Sequence, residues 1–381
     1  MWTATIITYT INDGVSIKKS GNFVLMIYNF NAGPGILPSS VLEQASKAVL
    51  NFNDSGLSLL EIGHREAPFV AVMEEARALV KSIMKLEANR EVLFLQGGAT
   101  MQFMQVPMNL LDKNGVAAYT DTGTWSSKAI KEAKNFGQVD VVASEKENGY
   151  RAMPLSIACS ATSSYLHITT NETISGTQWH HIPYQSHVPL VADMSSDVFS
   201  RQLDFNRFDL MYAGAQKNTG AAGVTMVVIN PETLGKTTRN IPSILDYRLH
   251  IQEGSMLNTP PVFAVYVAML NLRWLQQEGG IEVMEQRNQE KANLLYHTLE
   301  SIPLFNLPVA THSRSKMNVV FTMNDPLLEN LFTKFCKEAA IVGIKGHRSV
   351  GGFRASLYNA LPLSHVEVLV NVIRDFAQKH G

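Results

Sequence analysis

The sequence predicts an α/β fold with a largely parallel sheet, and three observations carry that expectation. Strand-like apolar runs alternate along the chain with helical patterns, the order that builds a sheet covered by helices. The runs are short and mostly apolar, as buried strands are. With 381 residues, 45% of them hydrophobic and 17% charged, the chain can enclose a sizeable core and is long enough for two domains.

Taken in order, the first segment is Thr-rich and then carries Lys18-Lys19, the reverse of a secretory signal. Residues 1–26 are expected to form a poorly ordered extension, with Met26 as the natural start. A peptide beginning before Met26 in the mass spectrum of the native protein would overturn that start. Val92-Leu93-Phe94-Leu95 reads as a strand that enters Gln96-Gly97-Gly98-Ala99-Thr100, after which a Met-rich helix is predicted to Leu111. Asp121-Thr122-Gly123-Thr124 precedes Trp125 at the start of a helix predicted to about Phe136. The apolar run Val188-Pro189-Leu190-Val191-Ala192 ends at Asp193. Two further buried strands, Asp209-Leu210-Met211-Tyr212 and Val224-Thr225-Met226-Val227-Val228-Ile229, flank Ala213-Gly214-Ala215-Gln216-Lys217-Asn218. A helix is predicted after Asn258-Thr259 with Pro260-Pro261 at its first positions, where a missing N–H costs nothing. A domain boundary falls near Gly279-Gly280. Beyond it come strands at Met317-Asn318-Val319-Val320-Phe321 and Phe353-Arg354-Ala355-Ser356-Leu357, and a helix over 327–340 that contains Cys336.

Composition excludes several function classes. The net charge of −1 and the lack of a basic run give no general field for a polyanion, so any phosphate specificity must come from a local site. No stretch is long and apolar enough to span a membrane. Two cysteines, Cys159 and Cys336, suit a reducing cytoplasm and are expected as small core residues. There is neither a G-x-G-x-x-G fingerprint nor a G-x-x-x-x-G-K-[ST] loop, which argues against nicotinamide and nucleoside-triphosphate chemistry, and no metal is expected.

What remains is a lysine in a Gly-rich turn between two buried strands. Partial desolvation there lowers its pKa and makes it a nucleophile or proton carrier. Asp193 ends a neighbouring predicted strand, so an amine and a carboxylate are brought together. Pyridoxal phosphate needs that pair, a lysine for the Schiff base and an acid that keeps the pyridine nitrogen protonated. The Gly97-Gly98 turn before a helix is either a simple tight turn or an anion site made of free N–H groups. His64-Arg65, His347-Arg348 and Arg354 supply guanidinium forks for a substrate with two anionic ends.

The motif around Lys217, the motif Asn258-Thr259-Pro260-Pro261 and the segment 345–356 resemble the phosphoserine aminotransferase family, pyridoxal-phosphate enzymes of the class V aminotransferases, over 28–381 without a large gap. The resemblance implies fold type I, with a large three-layer α/β/α domain over 42–280 and a smaller α+β domain formed by 27–41 and 281–381. It puts the backbone of Ala99 and Thr100, with Gln216, on the cofactor phosphate, Trp125 on the pyridine ring, Thr173 on the phenolic oxygen and Asp193 on the ring nitrogen. Asn258 and Thr259 would reach the phosphate of the other subunit, which makes the active site a property of a homodimer. Arg354 would bind the substrate α-carboxylate. His64 and Arg65 of one subunit, with His347 and Arg348 of the other, would bind the phosphate or distal carboxylate.

The implied reaction is ping-pong through a Lys217 Schiff base, moving an amino group between L-glutamate and 3-phosphohydroxypyruvate to give 2-oxoglutarate and O-phospho-L-serine in serine biosynthesis, in the cytoplasm. 4-Phosphohydroxy-L-threonine, of pyridoxine biosynthesis, stays open as a second substrate. So do an alanine–glyoxylate type aminotransferase, a cysteine desulfurase and a non-catalytic binding protein on the same fold. A desulfurase would need a mobile cysteine, and Lys217 with Asp193 speaks against a non-catalytic role.

Overall fold

The computed structural model describes residues 26–348 and 350–381, so the expected extension lies outside the described residues except for Met26. In chain order the first elements are β1 (Tyr28–Asn29), α1 (Ser39–Leu50), α2 (Ala67–Ile83), β2 (Glu91–Leu95), α3 (Gly98–Leu110), β3 (Val116–Asp121), α4 (Thr124–Ala133), β4 (Gln138–Ser144), β5 (Leu166–Thr169), β6 (Asn171–Glu172) and β7 (Thr177–Gln178). They are followed by β8 (Leu190–Asp193), β9 (Leu210–Gly214), β10 (Thr225–Ile229), α5 (Tyr247–Gln252), α6 (Val262–Gln277), α7 (Gly280–Glu300), β11 (Phe305–Asn306), β12 (Asn318–Met323), α8 (Glu329–Glu338), β13 (Ile341–Val342), β14 (Phe353–Ser356) and α9 (Leu363–His380).

Seven strands make the central sheet in the order β2, β10, β9, β8, β5, β3, β4. Neighbours from β9 to β4 are parallel, and β10 alone runs against both its neighbours, β9 and β2. The reversal lets β9 and β10 join through one short loop, and that loop carries Lys217. Successive strand residues face opposite sides of the sheet. Phe94, Ile168, Ala192, Met211 and Val228 therefore enter a core with α1, α2 and α6, while Leu93, Tyr119, Val191, Tyr212 and Val227 enter a second one with α3 and α4. Burial on both faces explains why these strands read as continuous apolar runs.

Helix α2 buries Phe69, Val72, Met73, Ala76, Leu79 and Val80, the three- and four-residue spacing of one helical face. Helix α6 is buried at every position over 264–272, where α1 and α2 pack against it. It also presses on the Lys217 loop, where a Cβ on Gly220 would lie 2.9 Å from Ala268 Cα. Only glycine permits that approach.

A third core lies between the β11-β12-β14 sheet and α7, α8 and α9, and contains Leu295, Val319, Phe321, Phe332, Phe353 and Ile373. Phe30 joins it, and β1 pairs in parallel with β13, so the first described segment packs against the C-terminal part of the chain. The turn at Gly279-Gly280, both with positive φ, separates α6 from α7.

Several expectations need correction. Pro260 and Pro261 precede α6 instead of occupying its first positions: Pro260, followed by a proline, is driven out of the helical region, and Pro261 is the N-cap, whose O accepts the Val265 N–H at 3.0 Å. The helix of Trp125 ends at Ala133, and Phe136 sits in the following turn. The helix expected over 327–340 is a 3-10 turn, Pro326–Leu328, leading into α8. Cys336 is a core residue, but Cys159 is only half-buried, on an irregular segment against the first core. No described helix is long and apolar enough to cross a membrane.

Candidate active site

A cavity of about 370 Å³ opens where several central strands end, lined by segments that follow β2, β3, β5, β8 and β9. In sheets of this kind the carboxyl ends of the parallel strands are where ligands bind, because the loops there diverge. Lys217, three residues beyond β9, projects its Nζ to 2.8 Å from Thr173 Oγ1 and 5.8 Å from the centre of the Trp125 ring. Burial pulls its pKa down from 10.5 to about 8; the carboxylate of Asp193 opposes the fall and the guanidinium of Arg354 adds to it.

Asp193 is the last residue of β8 and is buried. Its Oδ1 accepts the Ser195 N–H at 2.9 Å, and burial raises its pKa. A buried carboxylate of this kind favours an opposite charge against it, which a protonated ring nitrogen supplies. Helix α3 meets the cavity with Gly98, Ala99 and Thr100. Gly97 and Gly98 both have positive φ, no side chain caps the helix, and its first N–H groups are open to an anion.

Trp125 lines the wall, and its indole Nε1 is buried without a hydrogen-bond partner. Gln216 lines the floor beside Lys217. Arg354, on β14, donates from Nη1 to Thr173 O at 3.2 Å, while its Nε has no protein partner and burial lowers its pKa. His347 also lines the cavity, with its pKa lowered first by burial and then by Arg354, Arg348 and Lys128.

Five residues singled out in the sequence do not line this cavity: His64, Arg65, Asn258, Thr259 and Arg348. Arg65, Thr259 and Arg348 are exposed, and the buried Nε2 of His64 has no partner. Thr259 O accepts from Gln96 Nε2 at 2.5 Å, which ties the segment before α6 to the end of β2. Sequence reading also passed over residues that the fold brings in. Lys128 holds its Nζ 4.4 Å from the centre of the Trp125 ring at the cavity edge, and its signal is the three-residue spacing from Trp125 along α4. Ser195 and Ser196, next to Asp193, line the cavity as well.

The residues present fit pyridoxal phosphate. An open helix N-terminus suits the phosphate, a buried carboxylate the ring nitrogen, an indole the ring face and a desolvated amine the aldehyde.

Residues 27–369 match the aminotransferase class-V family. The chain belongs to that family. It is therefore a transaminase, with pyridoxal phosphate as its cofactor. It is 53% identical to a phosphoserine aminotransferase of Flavobacterium psychrophilum over 353 residues, covering 92% of this chain and 99% of the relative. It is 50% identical to that of Parabacteroides distasonis over 355 residues, 93% and 99% of the two chains. The phosphoserine aminotransferase structure from Bacillus circulans subsp. alkalophilus superposes with a TM-score of 0.91 at 41% identity, covering 93% of this chain and 99% of that one. An alanine–glyoxylate aminotransferase from Nostoc shares the fold alone, at 18% identity and a TM-score of 0.72, with 96% and 99% covered.

Proposed function

We propose that the chain transfers an amino group from L-glutamate to 3-phosphohydroxypyruvate, giving O-phospho-L-serine and 2-oxoglutarate. The observation that carries this reading is the extent of the likeness, about half of all residues identical to named phosphoserine aminotransferases over nearly the whole of both chains. The cavity agrees chemically. Its cations, Lys128 and Arg354, with the imidazole of His347 as a further hydrogen-bonding group, suit a substrate that is anionic at both ends. An alanine–glyoxylate reading has only a shared fold behind it.

Pyridoxal phosphate, when bound, supplies the electron sink that stabilises negative charge at the substrate Cα. The chain does the rest. Asp193 would hold the positive charge of the ring nitrogen, and Trp125 would cover the ring face and exclude water. Thr173 Oγ1, which accepts from Lys217 Nζ at 2.8 Å, marks the phenolic-oxygen side of the site. With a pKa near 8, a released Lys217 amine is partly neutral at physiological pH and can take the proton from the substrate Cα. Arg354 offers Nε and its remaining N–H groups to the α-carboxylate, and His347 faces the other end, to which we also assign Arg348 although it stands outside the cavity lining.

We assign His64, Arg65, Asn258 and Thr259 to the site of a second subunit. That none of them lines this chain's own cavity is consistent with a homodimer with shared sites. We further propose division into 42–280 and 27–41 with 281–381, and a cytoplasmic location. Coupled transamination with glutamate tests the substrate. Turnover of 3-phosphohydroxypyruvate should far exceed that of glyoxylate or pyruvate, and Lys217→Ala should lower kcat by about a thousandfold or more. Equal turnover of glyoxylate would overturn the substrate assignment.

A further inference from the structure

Glu172 is fully buried, at 0% exposure, and its carboxylate makes two hydrogen bonds to a distant element. Oε2 accepts the Trp125 N–H at 3.1 Å and Oε1 accepts the Ser126 N–H at 3.0 Å. These are the second and third N–H groups of α4, the donors that the side chain of an N-cap residue ordinarily satisfies. Here the N-cap is Gly123, which has no side chain. A Cβ at Gly123 would overlap the Glu172 carboxyl, so the missing atom is what admits the carboxylate. The positive end of α4 adds to its attraction.

The next residue along the chain is Thr173, whose Oγ1 holds Lys217 Nζ. The hairpin that presents both is closed tightly, with Gly176 N bonded to Glu172 O at 2.9 Å and Gly176 at φ +76°. One backbone segment thus fixes the Trp125 wall with one residue and the Lys217 amine with the next. A buried carboxylate is costly to keep unless its hydrogen bonds are complete and its place is needed. Burial raises the Glu172 pKa to about 7, against the lowering effect of the Ser126 and Trp125 bonds.

We propose that Glu172 is a positioning residue of the active site, its carboxylate fixing the start of α4 so that the Trp125 ring lies at the correct height over the cofactor relative to Lys217. The proposal rests on the reading of Trp125 as the ring that covers the cofactor. It predicts that Glu172 acts through Trp125.

The test is a double-mutant cycle on cofactor affinity, in which apoenzyme is titrated with pyridoxal phosphate and the change in visible absorbance is followed. Wild type, Glu172→Ala, Trp125→Ala and the double variant are compared, with thermal melting of each apoprotein to establish folding. Glu172→Ala should weaken binding roughly tenfold in the wild-type background and add almost nothing once Trp125 is gone. Glu172→Gln keeps the shape and one acceptor but turns an N–H toward the other donor, so it should fall between, near threefold. If Glu172→Ala does not fold, the same cycle is run with Glu172→Gln. Equal weakening in both backgrounds, or none in the wild type while Trp125→Ala weakens binding, overturns the role of Glu172. Unchanged affinity in Trp125→Ala instead sinks the reading of Trp125, and this proposal with it.

Discussion

Lys217 owes its chemistry to its surroundings. A lysine at the protein surface is almost wholly charged at neutral pH and is a poor nucleophile. Here burial outweighs the attraction of Asp193 and brings the amine to about pH 8. Neutral amine is the form that captures an aldehyde, so the rate at which apoenzyme binds pyridoxal phosphate should climb with pH and level off above about pH 8. Stopped-flow absorbance reads that rate, and a climb continuing to pH 10 would mean an ordinary lysine. Lys217 and Asp193 were legible in the sequence because one follows an apolar run and the other ends one, which places both where strands of the sheet end. Glu172 was not, since nothing local marks a carboxylate that caps a helix 47 residues away, and Lys128 had only its three-residue spacing from Trp125 to mark it.

At the scale of elements, α7 carries a second buried amine. Lys291 is 1% exposed and donates to Leu357 O at 3.0 Å and Tyr358 O at 2.9 Å, just beyond β14 and its Arg354. Burial lowers its pKa from 10.5 to about 7. Between those two values the unfolded chain binds more protons than the folded one, so the contribution of this group to stability rises with pH and is flat below about pH 7. Lys291→Met should abolish that rise and take the donor from Leu357 O, while Tyr358 O keeps the Leu361 N–H, at a cost of about 2 kcal/mol. Urea melts at pH 7 and 9 would show both effects, and an unchanged midpoint would exclude them. The sequence marked the strands and helices well and their ends less well. Its error at Pro260-Pro261 came from reading proline as a helix starter when a second proline forbids the helical turn there.

For the whole molecule, four of the five residues left outside the cavity, His64, Arg65, Asn258 and Thr259, bear on assembly. If His64 and Arg65 complete the partner's site, a Lys217→Ala subunit and an Arg65→Ala subunit are each inactive alone but restore one good site when paired. Equal mixing after subunit exchange should then recover about a quarter of wild-type activity, and no recovery in a verified heterodimer would refute sharing. The sequence by itself determined the α/β class, the largely parallel sheet and the apposition of an amine with a carboxylate. Burial on both faces and strand ends facing one way are written locally, as contiguous apolar runs with polar residues after them. Only the tertiary structure decided that β10 runs backwards, that Thr173 receives Lys217, that Glu172 reaches the start of α4 and that His347 and Arg354 enter the cavity while Arg348 does not. These contacts join residues tens to hundreds of positions apart, and packing of whole elements sets them, not the preferences of neighbouring residues.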